Sequence, residues 1–171
     1  MTSLQMPKVD KSILSNKNKI ASDLNKILKS ENILSHEDEI RPYETDALAA
    51  YKQKPLLVAL PETVEQVSKI LQYCNENKIK VVPRGAGTGL SGGALPLADC
   101  VLLGMGKFNK ILEIDYQNKC VVLQPCVTNL AITHAVQDKK FYYAPDPSSQ
   151  IACSIGGNVA ENSGGVHSLK Y

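Results

Sequence analysis

Three short segments carry residue types that suit a large polar ligand. In the first, Val81-Val82-Pro83-Arg84-Gly85-Ala86-Gly87-Thr88-Gly89-Leu90-Ser91-Gly92-Gly93, a β-branched run breaks into a loop with five glycines in nine positions. Without a Cβ, such a backbone reaches positive φ and comes close to a ligand. Successive peptide N–H groups in the loop form a concave nest for phosphate oxygens. Arg84 adds a forked, permanent positive charge at its mouth. The loop therefore reads as a diphosphate cradle, against the plainer reading of a tight turn. The second segment is Tyr143-Ala144-Pro145-Asp146-Pro147-Ser148-Ser149, where two prolines fix the backbone and two serines offer hydroxyls. The third is Ser154-Ile155-Gly156-Gly157-Asn158-Val159-Ala160-Glu161-Asn162-Ser163-Gly164-Gly165. Either of these, taken alone, is equally a structural turn; three in one chain point to one ligand.

Two familiar phosphate sites do not fit. Gly87-Thr88-Gly89-Leu90-Ser91-Gly92 matches G-x-G-x-x-G, but a dinucleotide fingerprint needs a helix that starts inside the motif. Eight residues separate Gly92 from the next apolar strand at Val101, with Pro96 among them. A crossover helix takes roughly ten to twelve. A P-loop fails because no G-K-[ST] follows the glycines.

The elements that must position these segments are legible in outline. Residues 1–17 are polar and read as frayed. Ile20, Leu24, Ile27 and Leu28 recur at helical spacing and predict an amphipathic helix over about residues 18–30. Residues 31–54 read as irregular, with Arg41-Pro42-Tyr43-Glu44-Thr45-Asp46 a loop. Leu56–Leu60 predicts a buried strand, and Thr63 with Gln66 forms a capping-box pattern. Val64, Val67, Leu71 and Cys74 then fall on one helical face, and Ile79–Val82 is the next strand. Residues 55–83 thus form a β-α-β unit with the glycine loop after its second strand. Cys100–Leu103 is a strand, and residues 110–124 read as an antiparallel hairpin turning at Asn118-Lys119. Thr128 starts a helix to about residue 138, with Val127, Leu130, Ala131 and His134 on one side. Tyr142 to Tyr171 is turn-rich.

Composition narrows the class further. With 43% hydrophobic and 21% charged residues, the chain reads as a globular domain with a real core. Its net charge of +2, without a basic cluster, argues against nucleic acid. No apolar run approaches the ~20 residues that span a bilayer. The start, Met1-Thr2-Ser3-Leu4-Gln5-Met6-Pro7, has no apolar signal core, so a cytoplasmic location is expected. The cysteines at 74, 100, 120, 126 and 153 are odd in number and include no C-x-x-C pair. They read as small buried hydrophobes in a reducing compartment, and no metal site is expected. His36 and His134 read as surface residues, and His167 as structural.

The three segments, in this order and at this separation, resemble the FAD-binding domain of the vanillyl-alcohol oxidase / p-cresol methylhydroxylase class. Within it they are most similar to the FAD-binding subunit of bacterial glycolate oxidase and its D-lactate dehydrogenase relatives. The resemblance covers roughly residues 35–171. It implies an α+β fold, a two-lobed FAD-binding domain of the p-cresol methylhydroxylase type, truncated. Residues 1–50 would be an N-terminal helical extension and residues 51–171 the N-terminal part of the FAD-binding domain. Arg84, Gly85, Ala86, Gly87, Thr88, Gly89, Leu90 and Ser91 would hold the pyrophosphate. Pro145, Asp146, Ser148 and Ser149, with Gly156, Gly157, Asn158, Asn162, Gly164 and Gly165, would line the ribityl and isoalloxazine end.

The implied activity is oxidation of a D-2-hydroxy acid, glycolate or D-lactate in type, to the 2-oxo acid. Electrons would leave to an iron–sulfur partner subunit or a quinone-linked chain, and partner subunits would associate the protein with the inner face of the membrane. The alternative is a non-catalytic FAD-binding fragment or complementation module lacking the substrate domain. Some relatives attach FAD through a histidine in the glycine loop. Thr88 stands at that place here, so noncovalent FAD is expected. Cys126 stands where the family usually has glycine; a positive φ there would strain the cysteine. Cys100 likewise replaces a usual turn glycine, and Ser163 a usual alanine. No catalytic base is apparent.

Overall fold

The computed structural model describes residues 6–170, and the chain divides into two compact units. The first comprises residues up to Pro83 together with Leu90–Gly104; the second comprises Arg84–Gly89 and Met105 onward.

The first unit opens with helices α1 (Lys11–Ser15) and α2 (Lys17–Leu24). Residues 11–17, read as frayed, are instead mostly helical, because the Asp10 side chain caps α1 by accepting from the Ser12 N–H at 2.8 Å. Ile20, Leu24 and Leu28 are buried as their spacing requires, although the regular helix ends at Leu24. The stretch expected to be irregular holds strand β1 (Ile33–Leu34), a single turn α3 (Glu37–Ile40) and a 3-10 turn over Arg41–Tyr43. Strand β2 (Leu57–Ala59) is wholly buried.

Helix α4 (Val64–Glu76) starts at the expected capping box. The Gln66 N–H donates to Thr63 Oγ1 at 3.2 Å, and the Gln66 side chain accepts from the Thr63 N–H. Its buried face is not the expected one. Ile70 and Cys74 are buried, whereas Val64 is 75% and Leu71 44% exposed. Strands β3 (Lys80–Arg84) and β4 (Cys100–Gly104) complete a sheet of order β1-β2-β4-β3. β1 runs antiparallel to β2, and β2 parallel to β4. The β-α-β segment is present, but β4 lies between its two strands. Ile40, Val58 and Leu102 form a core here, with Leu34, Tyr43 and Leu60 against it.

The second unit is built on a hairpin of β5 (Ile111–Asp115) and β6 (Cys120–Leu123). It is antiparallel as expected, with an irregularity between Ile111 and Glu113. Helix α5 (Asn129–Val136) follows Thr128. It turns Asn129, Ile132 and Val136 inward, and His134 is exposed. The turn-rich final third contains one short helix, α6 (Ile155–Ala160), capped by the Ser154 side chain. Val127, Ile132 and Ile155 form this unit's core against Ile111, Val121, Leu123 and Tyr143.

The cysteines are all free thiols, but not all are buried: Cys120 is exposed and Cys126 half-buried. Burial pushes the Cys74 and Cys100 thiols up to about 11, which makes them inert packing groups.

Candidate cofactor-binding site

The glycine segment divides between the units. Arg84, Gly85, Ala86, Gly87, Thr88 and Gly89 belong to the second, and Leu90 and Ser91 to the first. β3 ends at Arg84, whose carbonyl accepts from the Met105 N–H at 2.9 Å. The Arg84 guanidinium folds back over its own loop; a Cβ on Gly87 would lie 2.5 Å from Nη2. Gly85 approaches Ser154 so closely that any Cβ would collide with the serine side chain. Bare backbone at Gly85 is thus a packing requirement. On the first unit's side, Leu90 is 70% exposed.

Within the second unit the other two segments are tied together. Ile155 N–H donates to the Val127 carbonyl at 2.9 Å, and Gly156 N–H to the Pro125 carbonyl at 2.8 Å. Gly157 N–H donates to Ser154 Oγ at 3.3 Å. The amides of Gly156 and Gly157 are therefore engaged inside the protein. Asn129 Nδ2 donates to the Pro145 carbonyl at 2.9 Å, anchoring the proline segment on the first turn of α5. Ser148 is exposed and Ser149 half-buried, its carbonyl accepting from the Ala152 and Cys153 N–H groups at 2.8 Å.

Asp146 bridges to Gly165 and pairs with His167, whose Nδ1 lies 3.1 Å from Oδ2. Burial pushes the Asp146 carboxyl up, but the side-chain and backbone hydrogen bonds from His167 outweigh it and hold the group below its ordinary value. His167 thus joins the second segment to the end of the third. Gly165 has φ +107, and a Cβ there would overlap the Asp146 carbonyl. Gly164 packs against Ser168, and Asn162 takes a left-handed φ of 52°. Asn158 is buried and its Nδ2 has no hydrogen-bond partner.

A cleft of about 370 Å³ opens beside Gly85 and Ala86, and Cys126, Thr128 and Ser154 also line it. Of these, sequence reasoning named Gly85 and Ala86 as cofactor contacts and had Ser154 only as the start of the third segment. Thr128 was visible only as a helix start. Cys126 was visible as a residue standing where glycine is usual, but its strain does not materialise. Among the described residues, positive φ outside glycine is confined to Lys78, Lys119, Lys140 and Asn162.

A family model described as "FAD binding domain" matches residues 55–171, and the chain belongs to this family. It is 60% identical over 139 residues to the glycolate oxidase subunit GlcD of Escherichia coli (strain K12), covering 81% of this chain and 28% of that protein. It is 38% identical over 136 residues to a D-lactate dehydrogenase of Anaerostipes hadrus, covering 78% of this chain and 28% of that one. Among solved structures, p-cresol methylhydroxylase with substrate bound superposes with TM-score 0.65 at 27% identity, over 77% of this chain and 26% of that one. The fold is thus the two-lobed α+β FAD-binding type expected from the segments. The chain spans 28% of the length of both curated relatives.

The residues present fit FAD. Backbone at Gly85 is held bare beside a cleft by the packing of Ser154. The buried Nδ2 of Asn158 is a donor without an acceptor, a state that costs about 1–3 kcal/mol until something accepts from it. No cluster of His, Cys, Asp and Glu among the described residues could hold a metal ion. No helix among them is long and apolar enough to cross a membrane.

Proposed function

We propose that this chain is the FAD-binding portion of a flavin-dependent oxidoreductase that oxidises a D-2-hydroxy acid, glycolate or D-lactate in type, to the 2-oxo acid. The observation that carries this reading is the 60% identity to a glycolate oxidase subunit over 81% of the chain. The family match at residues 55–171 runs through all three segments. When bound, FAD supplies the acceptor for the substrate's hydride, and the chain's own residues bind and orient it.

In this reading Arg84 to Ser91 hold the diphosphate end. Pro145, Asp146, Ser148, Ser149, Gly156, Gly157, Asn158, Asn162, Gly164 and Gly165 shape the ribityl and ring end. Asp146 acts there through His167 and Gly165, as a clamp between two segments. Thr88, at the place of a linking histidine in some relatives, leaves FAD noncovalent. Residues 51–171 form the N-terminal part of the FAD-binding domain, behind a helical extension. Electrons pass on to an iron–sulfur subunit, through which a cytoplasmic protein meets the inner membrane face.

The 28% share of each relative favours a second reading, a non-catalytic FAD-binding module completed by another chain. One preparation tests both. The chain is purified with FAD, free ligand is removed, and the visible spectrum is recorded before and after denaturation. Retained flavin that denaturation releases is the expected result. Anaerobic addition of glycolate or D-lactate then distinguishes the readings. Bleaching means this chain alone turns over, and an unchanged flavin band means it needs its complement. A folded, colourless protein would sink the reading that this chain binds FAD by itself and would point to completion by a second chain.

A further inference from the structure

The core of the second unit is open at one end. A cleft of about 80 Å³ is lined there by the hairpin and α5, and it reaches down to the buried side chains of Ile132 and Val136. Its walls are aromatic: Tyr116 from the hairpin turn, and Phe141, Tyr142 and Tyr143 from the segment after α5. The Tyr116 and Phe141 rings meet with centroids 5.6 Å apart. Three of the chain's seven tyrosines and one of its two phenylalanines thus gather at one opening. Yet Tyr116 is 38% and Tyr142 60% exposed. Aromatic rings grouped over buried aliphatic side chains but left in water have the composition of a contact surface.

The size and lining select the occupant. A volume of about 80 Å³ is well below the ~300–1,000 Å³ of cofactor and small-molecule sites. It exceeds the ~10–15 Å³ that one water needs, but an apolar lining gives water too few partners. The Asp115 carboxylate at the opening is already engaged, accepting from the Asn118 N–H at 3.0 Å and from Asn118 Nδ2 at 2.6 Å. Lys119 is the other charged residue of the lining. One large apolar side chain fits: it leaves water and gains contact with the rings, as the anchor residues of protein interfaces do. This chain spans 28% of the length of its curated relatives, so most of such a protein is sequence that this chain does not contain. That remainder is the natural source of the anchor.

We propose that this cleft is where the chain that completes the protein docks, with a large apolar side chain of that partner entering between Tyr116, Phe141 and Tyr142 and closing the core of the second unit. This rests on the second reading above, a module completed by another chain, and adds where on the module the complement seats.

Cys120 supplies the probe, since it lines the cleft and its thiol is exposed. The part of Escherichia coli (strain K12) GlcD that lies C-terminal to the 139 matched residues is co-expressed with this chain as a separate, tagged chain. A remainder that is insoluble as a separate chain is fused to this one instead. Maleimide labelling of Cys120 is then compared between the free chain and the pair by peptide mass spectrometry, which separates it from the half-buried Cys126. Labelling is expected to slow at least about tenfold in the pair, the protection given by a partner at ten times its dissociation constant. Tyr142→Glu puts a carboxylate on the exposed wall. It is expected to weaken the pair about tenfold or more without lowering the melting temperature of the free chain, because Tyr142 is 60% exposed. A pair that forms with Cys120 still labelled at its free rate overturns the proposal and leaves the complement reading intact. Protection that grows with the concentration of the free chain alone also overturns it, because the occupant is then a second copy. No association at all overturns both.

Discussion

Gly165 is the residue where backbone geometry leaves least room. At φ +107, with the Asp146 carbonyl where a side chain would begin, alanine is strained twice over. Such strain costs on the order of 1–3 kcal/mol, and a backbone atom cannot turn aside as a side chain can. Gly165→Ala is therefore expected to lower stability by at least that amount in urea unfolding and to loosen the Asp146–His167 pair. An unchanged midpoint would show that the bridge is not held in solution. The sequence made the glycines conspicuous, but not the reason for each. Gly85 is bare because Ser154 stands against it, a partner 69 positions away along the chain that no local pattern reveals. Gly106 has nothing within 4 Å of its would-be Cβ. Cys126 was legible only as a substitution in a familiar string. Its ordinary φ and its place in a cleft wall are properties of the folded chain.

At the scale of elements, α4 separates what periodicity shows from what it cannot. The capping box was fully legible because its partners are three residues apart and depend on nothing else. Thr63→Ala is expected to cost about 1 kcal/mol by thermal or urea unfolding. The buried face was not legible. Val64, Val67, Leu71 and Cys74 form one apolar stripe, and Val67, Ile70 and Cys74 form another one step round the helix. Only tertiary packing chooses between them, and it leaves Ile70 0% exposed. Ile70→Ala should accordingly cost about 2–5 kcal/mol, while Leu71→Lys should stay within about 0.5 kcal/mol of wild type. The reverse order would restore the stripe expected from sequence. Strands β2 to β6 were found for the same local reasons as the caps, whereas the two-residue β1 fell in a stretch read as irregular. The insertion of β4 between β2 and β3 was missed because pairing across the chain leaves no periodic trace.

On the scale of the whole molecule, the first unit carries a buried acid-sensitive tether of its own, and one substitution should separate its contribution from the rest. In the first unit Asp99 is 2% exposed. Its Oδ2 accepts from the Asp10 N–H and the Lys80 ammonium, each at 2.7 Å, tying the start of α1 to the sheet. Burial pushes the Asp99 carboxyl up, but these donors outweigh it and hold the group below its ordinary value. A carboxyl whose pKa is lower in the folded than in the unfolded state contributes stability above the unfolded value of about 3.9, and that contribution is lost as pH falls through the folded value. The first unit is therefore expected to weaken below about pH 4. Amide exchange in β2 and β4 should quicken there relative to neutral pH, beyond the intrinsic pH effect. Asp99→Asn keeps an acceptor for Asp10 but removes the ion pair, so about 1–2 kcal/mol of first-unit stability should disappear at neutral pH. The acid-induced loss in β2 and β4 should shrink with it. The hairpin β5–β6 contains no part of this network, and its exchange should be the same in wild type and Asp99→Asn. Equal weakening of both sets of amides in the variant would mean that the units unfold as one, and that the Asp99 tether stabilises the chain as a whole.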